Sequence, residues 1–131
     1  MSSENIFFTD KCSVCLIEPH IIENIVKEGF TMEIKDIQEL KALNKTLSGG
    51  LPYAVLVSFE HLADVSKEGK ELIASKEFAE NTVAKALLVD NIGHRLIGNF
   101  YMTINKPHIK TKVFTNRELA LDWLRQELPT Y

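Results

Sequence analysis

Only two cysteines, Cys12 and Cys15, occur in 131 residues. That is too few for the disulfide framework that holds small secreted domains together. An excess of positive charge is also missing. Fifteen Lys and Arg face 18 Asp and Glu, for a formal net charge of −3. The basic footprint of a nucleic-acid binder is absent, and no nucleic-acid partner is expected. No apolar run approaches the ~20 residues that span a bilayer, so membrane insertion is not expected. The stretch from Met1 to Phe8 lacks the basic and long apolar segments of a secretory signal, and a cytoplasmic location is the expectation. No repeat, low-complexity tract or linker interrupts the chain. At this length it reads as one domain over residues 1–131, with 1–10 as a lead-in or edge strand.

The motifs of common chemistries are missing too. No glycine pattern forms a phosphate cradle. Gly49-Gly50 follows a predicted helix and precedes a strand, the reverse of the dinucleotide or P-loop order. Gly98, inside a predicted helix, is explained by close packing on the sheet. No serine sits in a G-x-S-x-G elbow. His20, His61, His94 and His108 are scattered, without the pairing at helical spacing that a metal site needs. Asp36-Glu39 and Glu68-Glu71 are acidic pairs of the kind a solvated helix face carries. No enzyme, cofactor or metal is expected.

Cys12-Ser-Val-Cys15 is formally a C-x-x-C motif, which suggests a redox dithiol or, with His20, half a zinc site. It falls in a predicted strand, where positions three apart face opposite sides. Two buried, small hydrophobic residues are therefore the better reading.

What is present is a regular alternation of elements. Residues 12–18 and 20–26 are apolar and β-branched, and Pro19-His20 makes them a hairpin. Thr31 is the expected cap of a helix carrying Ile34, Ile37, Leu40, Leu43 and Leu47 at helical spacing, ended by Ser48-Gly49-Gly50. Tyr53 to Phe59 is apolar on both alternating faces, as a doubly covered strand requires. Glu60 to Val65 reads as a loop. Ser66 then caps a helix with Leu72 and Ile73, and Phe78 and Ala79 form a second apolar patch. Val83 to Val89 is the next strand, with an unexpected Lys85 that points to an open sheet face or reaches outward along its stem. A helix through Leu96, Ile97, Phe100, Tyr101 and Ile104 ends at Asn105-Lys-Pro107. A strand over Lys110 to Phe114 leads through Thr115-Asn116 into a helix with Ala120, Trp123 and Leu124. Strands alternating with helices imply a mostly parallel sheet. Asp90, Asn91, His94 and Arg95 lie where a predicted strand ends and a helix begins. Ligands favour that corner in open α/β sheets, although Asp90 or Asn91 also serves as a plain cap there.

Ala86-Leu-Leu-Val-Asp90, Arg95-Leu-Ile-Gly-Asn-Phe100, Asn105-Lys-Pro107, Lys112-Val-Phe114 and Ala120-Leu-Asp-Trp-Leu124 together resemble the STAS/SpoIIAA-like superfamily, the fold of bacterial anti-sigma-factor antagonists. The chain is most similar to a group of small uncharacterised bacterial proteins within it. The resemblance implies an α/β fold with a mixed, mostly parallel sheet in the order ββαβαβαβα and helices mainly on one face. Antagonist members dock onto a kinase or phosphatase and carry a phosphorylated serine in an Asp-Ser-Ser-Gly-like turn. The equivalent turn here is Asp64-Val-Ser-Lys-Glu-Gly69, which lacks that pattern. The phosphoserine position falls on Lys67 or Glu68, and Ser66 reads as a cap. A non-enzymatic interaction or regulatory domain is thus expected. Its partner surface would be Asp64, Ser66, Lys67, Glu68 and Lys70, with homodimerisation through a hydrophobic strand edge. The alternative is a module for a small apolar, lipid-like or anionic ligand, in a cavity lined by Phe100, Tyr101 and Trp123 or at Asp90 to Arg95.

Overall fold

The computed structural model describes residues 6–60, 62–89 and 108–129. The expected helix through residues 96–104 and the turn at 105–107 lie outside the described residues.

The first strands are β1 (Ile6–Phe8), β2 (Cys12–Glu18) and β3 (Ile21–Val26). They form an antiparallel meander. Its β2–β3 hairpin turns at Pro19-His20, where His20 takes the left-handed φ of 67°. Next come β4 (Thr31–Met32), α1 (Ile34–Leu47), β5 (Tyr53–Phe59), β6 (Asp64–Val65), α2 (Lys67–Ile73), β7 (Thr82–Leu88), β8 (Lys110–Phe114) and α3 (Arg117–Glu127). The main sheet has the order β1-β2-β3-β5-β7-β8, and β3, β5, β7 and β8 run parallel. This is the mixed, mostly parallel sheet expected from the sequence.

Side chains alternate across each strand, so the sheet has two faces. One carries Ile22, Val26, Tyr53 and Val55 and packs against Ile37 and Leu40 of α1. The other carries Ile21, Ala54, Leu56, Ala84 and Ala86 and packs against Ala120, Leu121 and Leu124 of α3. Two of the three described helices thus share one face, and α3 covers the opposite one.

Two local expectations change. Thr31 does not cap α1. It pairs with Asp64 in a short parallel ladder between β4 and β6, so the segment 60–65 is not wholly a loop. Glu33 caps α1 instead, in a reciprocal capping box with Asp36. Asp36 also accepts a 2.6 Å bond from Lys11. Ser66 does cap α2, its hydroxyl accepting from the Gly69 N–H at 3.0 Å.

A bulge in β7 positions the site. Tyr53 is opposite Thr82, yet Ala54 is opposite Ala84, so Val83 is an extra residue. The inserted residue reverses the alternation. Thr82 and Lys85 therefore project to the same face as Tyr53 and Val55.

Candidate functional site

Between the sheet and α1 and α2 lies a cavity of about 70 Å³. Its walls are mostly aliphatic: Val55, Leu87 and Val89 from the sheet side, Ile37 and Leu40 from α1, and Ile73 beyond. A cavity of about 150 Å³ admits benzene. The space here suits a smaller molecule or a few waters.

A cluster of polar groups interrupts the apolar walls. Asn24 on β3 and Asn44 on α1 face one another, each carboxamide donating to the other at 2.8 and 2.9 Å. Both are buried, so each satisfies groups its partner would otherwise leave dry. Next to them, Lys41 of α1 donates to the Tyr53 hydroxyl at 3.1 Å, the Thr82 hydroxyl at 2.8 Å and the Glu80 carbonyl at 2.6 Å. Burial lowers the Lys41 ammonium to about 8, with Glu80 pulling it up and Lys45 pushing it down. Burial raises the Tyr53 phenol, against its bonds with Thr82 and Asn44.

Lys85 is the outstanding member. Its residue is only 5% exposed, which is uncommon for lysine. Its Nζ stands 5.0 Å from the centre of the Phe78 ring, and Lys41 Nζ stands 5.1 Å from the same ring. Burial first, and the neighbouring Lys41 charge second, bring Lys85 down to about 7. The lysine neither meets an open face nor reaches outward. It is enclosed.

A family model described as a domain of unknown function, DUF7793, matches residues 15–128. The chain belongs to the DUF7793 family. No curated protein matches it. Among solved structures it is similar to an uncharacterised DUF3478-family protein with a SpoIIAA-like fold from Shewanella loihica PV-4. Identity is 12%, the TM-score is 0.54, and the match covers 91% of this chain and 90% of that one. The likeness establishes the SpoIIAA-like fold and no more.

The DUF7793 fold splits the expected partner surface. Asp64 is half-buried and accepts from the Val65 N–H at 2.7 Å. Ser66 is engaged as the cap, and Lys67 and Glu68 are exposed. Lys70 turns inward and lines the cavity. Gly69 is a packing residue: a Cβ there would lie 2.7 Å from Ile37 Cδ1 and 2.9 Å from Val65 Cγ1. Asp90, Asn91, His94 and Arg95 lie outside the described residues, as do Phe100 and Tyr101. Trp123 does not border the cavity. It packs against Phe114 on the α3 face, ring centres 5.6 Å apart.

Cys12 and Cys15 face opposite sides of β2, since Cys12 pairs with Val26 and Cys15 with Glu23. Both are buried and no disulfide joins them. Cys12 Sγ sits 3.5 Å from Met32 Sδ, and burial pushes its thiol up to about 11. A thiol so poorly ionised is a poor nucleophile. Among the described residues, no group of three His, Cys, Asp or Glu side chains could hold a metal. No helix among them is long and apolar enough to cross a membrane.

The polar cluster at Asn24, Lys41, Asn44, Tyr53, Thr82 and Lys85 is not legible in the sequence as a group, although Lys85 stands out in its apolar strand. A further signal marks two of the six. Asn24 interrupts an otherwise β-branched strand, and Asn44 sits four residues after Leu40, on the stripe that α1 buries.

Proposed function

We propose that this DUF7793 chain is a non-enzymatic regulatory binding domain whose ligand is a small, largely apolar molecule with one polar end. The observation that carries the reading is the cavity under α1 and α2, aliphatic on most sides and furnished with amine, hydroxyl and carboxamide groups. Such pockets take their affinity from the apolar walls and their selectivity from a few polar groups. The volume argues against a long acyl chain, so the lipid-like version narrows to a molecule smaller than benzene.

The geometry also supports a route from ligand to partner. Lys70 lines the cavity while Lys67 and Glu68, on the same helix, face solvent. Occupancy beneath α2 would bear on the surface that a partner protein reads. Self-association through β1 is a separate part of the reading. β1 ends the sheet order, and Phe8 on it is 70% exposed. Light scattering that finds only monomer at high concentration would remove that part.

The test of the ligand reading is methyl NMR of the full chain with a panel of small alcohols, ketones and carboxylic acids. Saturable shifts at the Ile37, Leu87 and Val89 methyls are expected. Unmoved methyls across the panel at millimolar concentration would refute it.

A further inference from the structure

Lys85 gives the cavity a chemical character that containment of a ligand does not need. It lies mid-strand in β7 between Ala84 and Ala86, opposite Val55. The side chain enters the cavity from the sheet, against walls that include Val55, Leu87 and Val89. The Phe78 ring flanks its Nζ. Among the described residues, the titratable groups around it are Lys41 on α1, which shares the Phe78 ring, and Lys70 on α2 and the Tyr53 phenol on β5, which line the same cavity. An enclosed primary amine among hydrocarbon walls and beside a second cation is the arrangement that makes lysine a nucleophile rather than a solvated charge.

We propose that Lys85 Nζ captures a small aldehyde or ketone in the cavity as a reversible imine. The inference rests on the ligand-binding reading above and names the ligand's polar end as a carbonyl. The neutral amine adds its lone pair to the carbonyl carbon, forming a C–N bond. The carbonyl π pair moves to oxygen, which takes up the proton that nitrogen sheds. The resulting carbinolamine then loses its oxygen as water, with the second nitrogen proton, and C=N forms. One amine and one carbonyl give one imine and one water, with no oxidant or reductant. With Lys85 held at about 7, about half the amine is neutral at neutral pH. An ordinary lysine is neutral there in only about one molecule in a few thousand. The cavity size sets the selectivity: acetaldehyde, with half of benzene's heavy atoms, fits, whereas benzophenone does not.

The experiment incubates the full chain at neutral pH with acetaldehyde and cyanoborohydride, and maps alkylated lysines by peptide mass spectrometry. Lys85 should be modified on the order of tenfold faster than exposed lysines such as Lys67. Benzophenone should leave it untouched, and the labelling should fall as pH drops below about 7. Lys85→Met removes the fast site and leaves the exposed lysines labelled as before. If that variant fails to fold, the comparison of Lys85 with Lys67 in the native chain decides by itself. A parallel methyl NMR titration uses ethanol, which matches the cavity in size and forms no imine. If ethanol and acetaldehyde move the cavity methyls and Lys85 is labelled no faster than exposed lysines, the imine is refuted and the binding reading stands. If neither compound moves them, both readings fall.

Discussion

The two faces of the sheet are built to different ends. Under α3, small residues (Ala54, Ala84, Ala86, Ala120) let helix and strands approach closely around Leu56 and Leu124, and the one buried carboxylate on that face among the described residues, Glu23, is paired with Arg117 of the same helix. Under α1 and α2 the side chains are larger, the packing leaves a cavity, and Asn24, Asn44 and Lys85 are buried among them. Buried polar groups and voids both cost stability. The proposed binding role of the α1 face rests on this difference, and the α3 face is the more closely packed of the two.

That contrast can be broken in four ways. The largest effect is expected on the sealed face. Leu124 is fully buried, and Leu124→Ala should cost about 2–5 kcal/mol in chemical denaturation, toward the upper end. Leu40→Ala, beside the existing cavity, should cost less, because Leu40 already lacks neighbours on one side. Equal costs would mean that the faces are packed alike.

Next comes pH. Lys85 is lowered to about 7 in the folded chain and has the ordinary lysine value when unfolded. The unfolded state thus binds the extra proton between those values, and stability rises with pH across that window. The limiting slope is about 1.4 kcal/mol per pH unit. Below about pH 7 the burial penalty is fully present. Lys85→Met should flatten the slope in denaturation curves taken over that range. It should leave the part due to Lys41, lowered to about 8. An unchanged slope would put the Lys85 amine in water.

The carboxamide pair comes third. Asn44→Leu strands the Asn24 carboxamide and should cost about 1–3 kcal/mol. Asn24→Val with Asn44→Leu should recover most of that loss, since neither partner is then left unsatisfied. A double variant no better than the single one would show that the pair is not what matters. The smallest effect is Ser66→Ala, at about 1 kcal/mol for a lost cap. A much larger loss on partner binding than on stability would return the serine to a functional role.

Periodicity made the scaffold legible. The strand at Tyr53–Phe59, the hairpin about Pro19-His20 and the strand at Lys110–Phe114 follow from apolar alternation and turn residues. The start of α1 did not, because Thr31 is as good a cap as Glu33 in isolation. The ladder to Asp64 and the bond from Lys11 to Asp36 decide between them, and both are long-range. The site was harder still. Lys85 stood out as a lysine in an apolar strand. Which face it took depended on the single bulged residue at Val83, and a bulge leaves no mark in composition. Asn44 is not legible in the sequence because a stripe through Leu43 and Leu47 fits helical spacing equally well, whereas α1 is rotated to bury Ile37, Leu40 and Asn44.

The opposed cysteines of β2 have one more consequence. Cys12 lies beneath the cavity face and Cys15 on the face that α3 shares. Cys12, fully buried, meets a thiol reagent only when its layer opens, whereas Cys15 keeps 9% of its surface exposed. The chain therefore carries two native clocks three residues apart. Their relative alkylation rates report how often the cavity face opens, with Cys15 as the internal reference. A ligand in the cavity should slow the first clock and leave the second running.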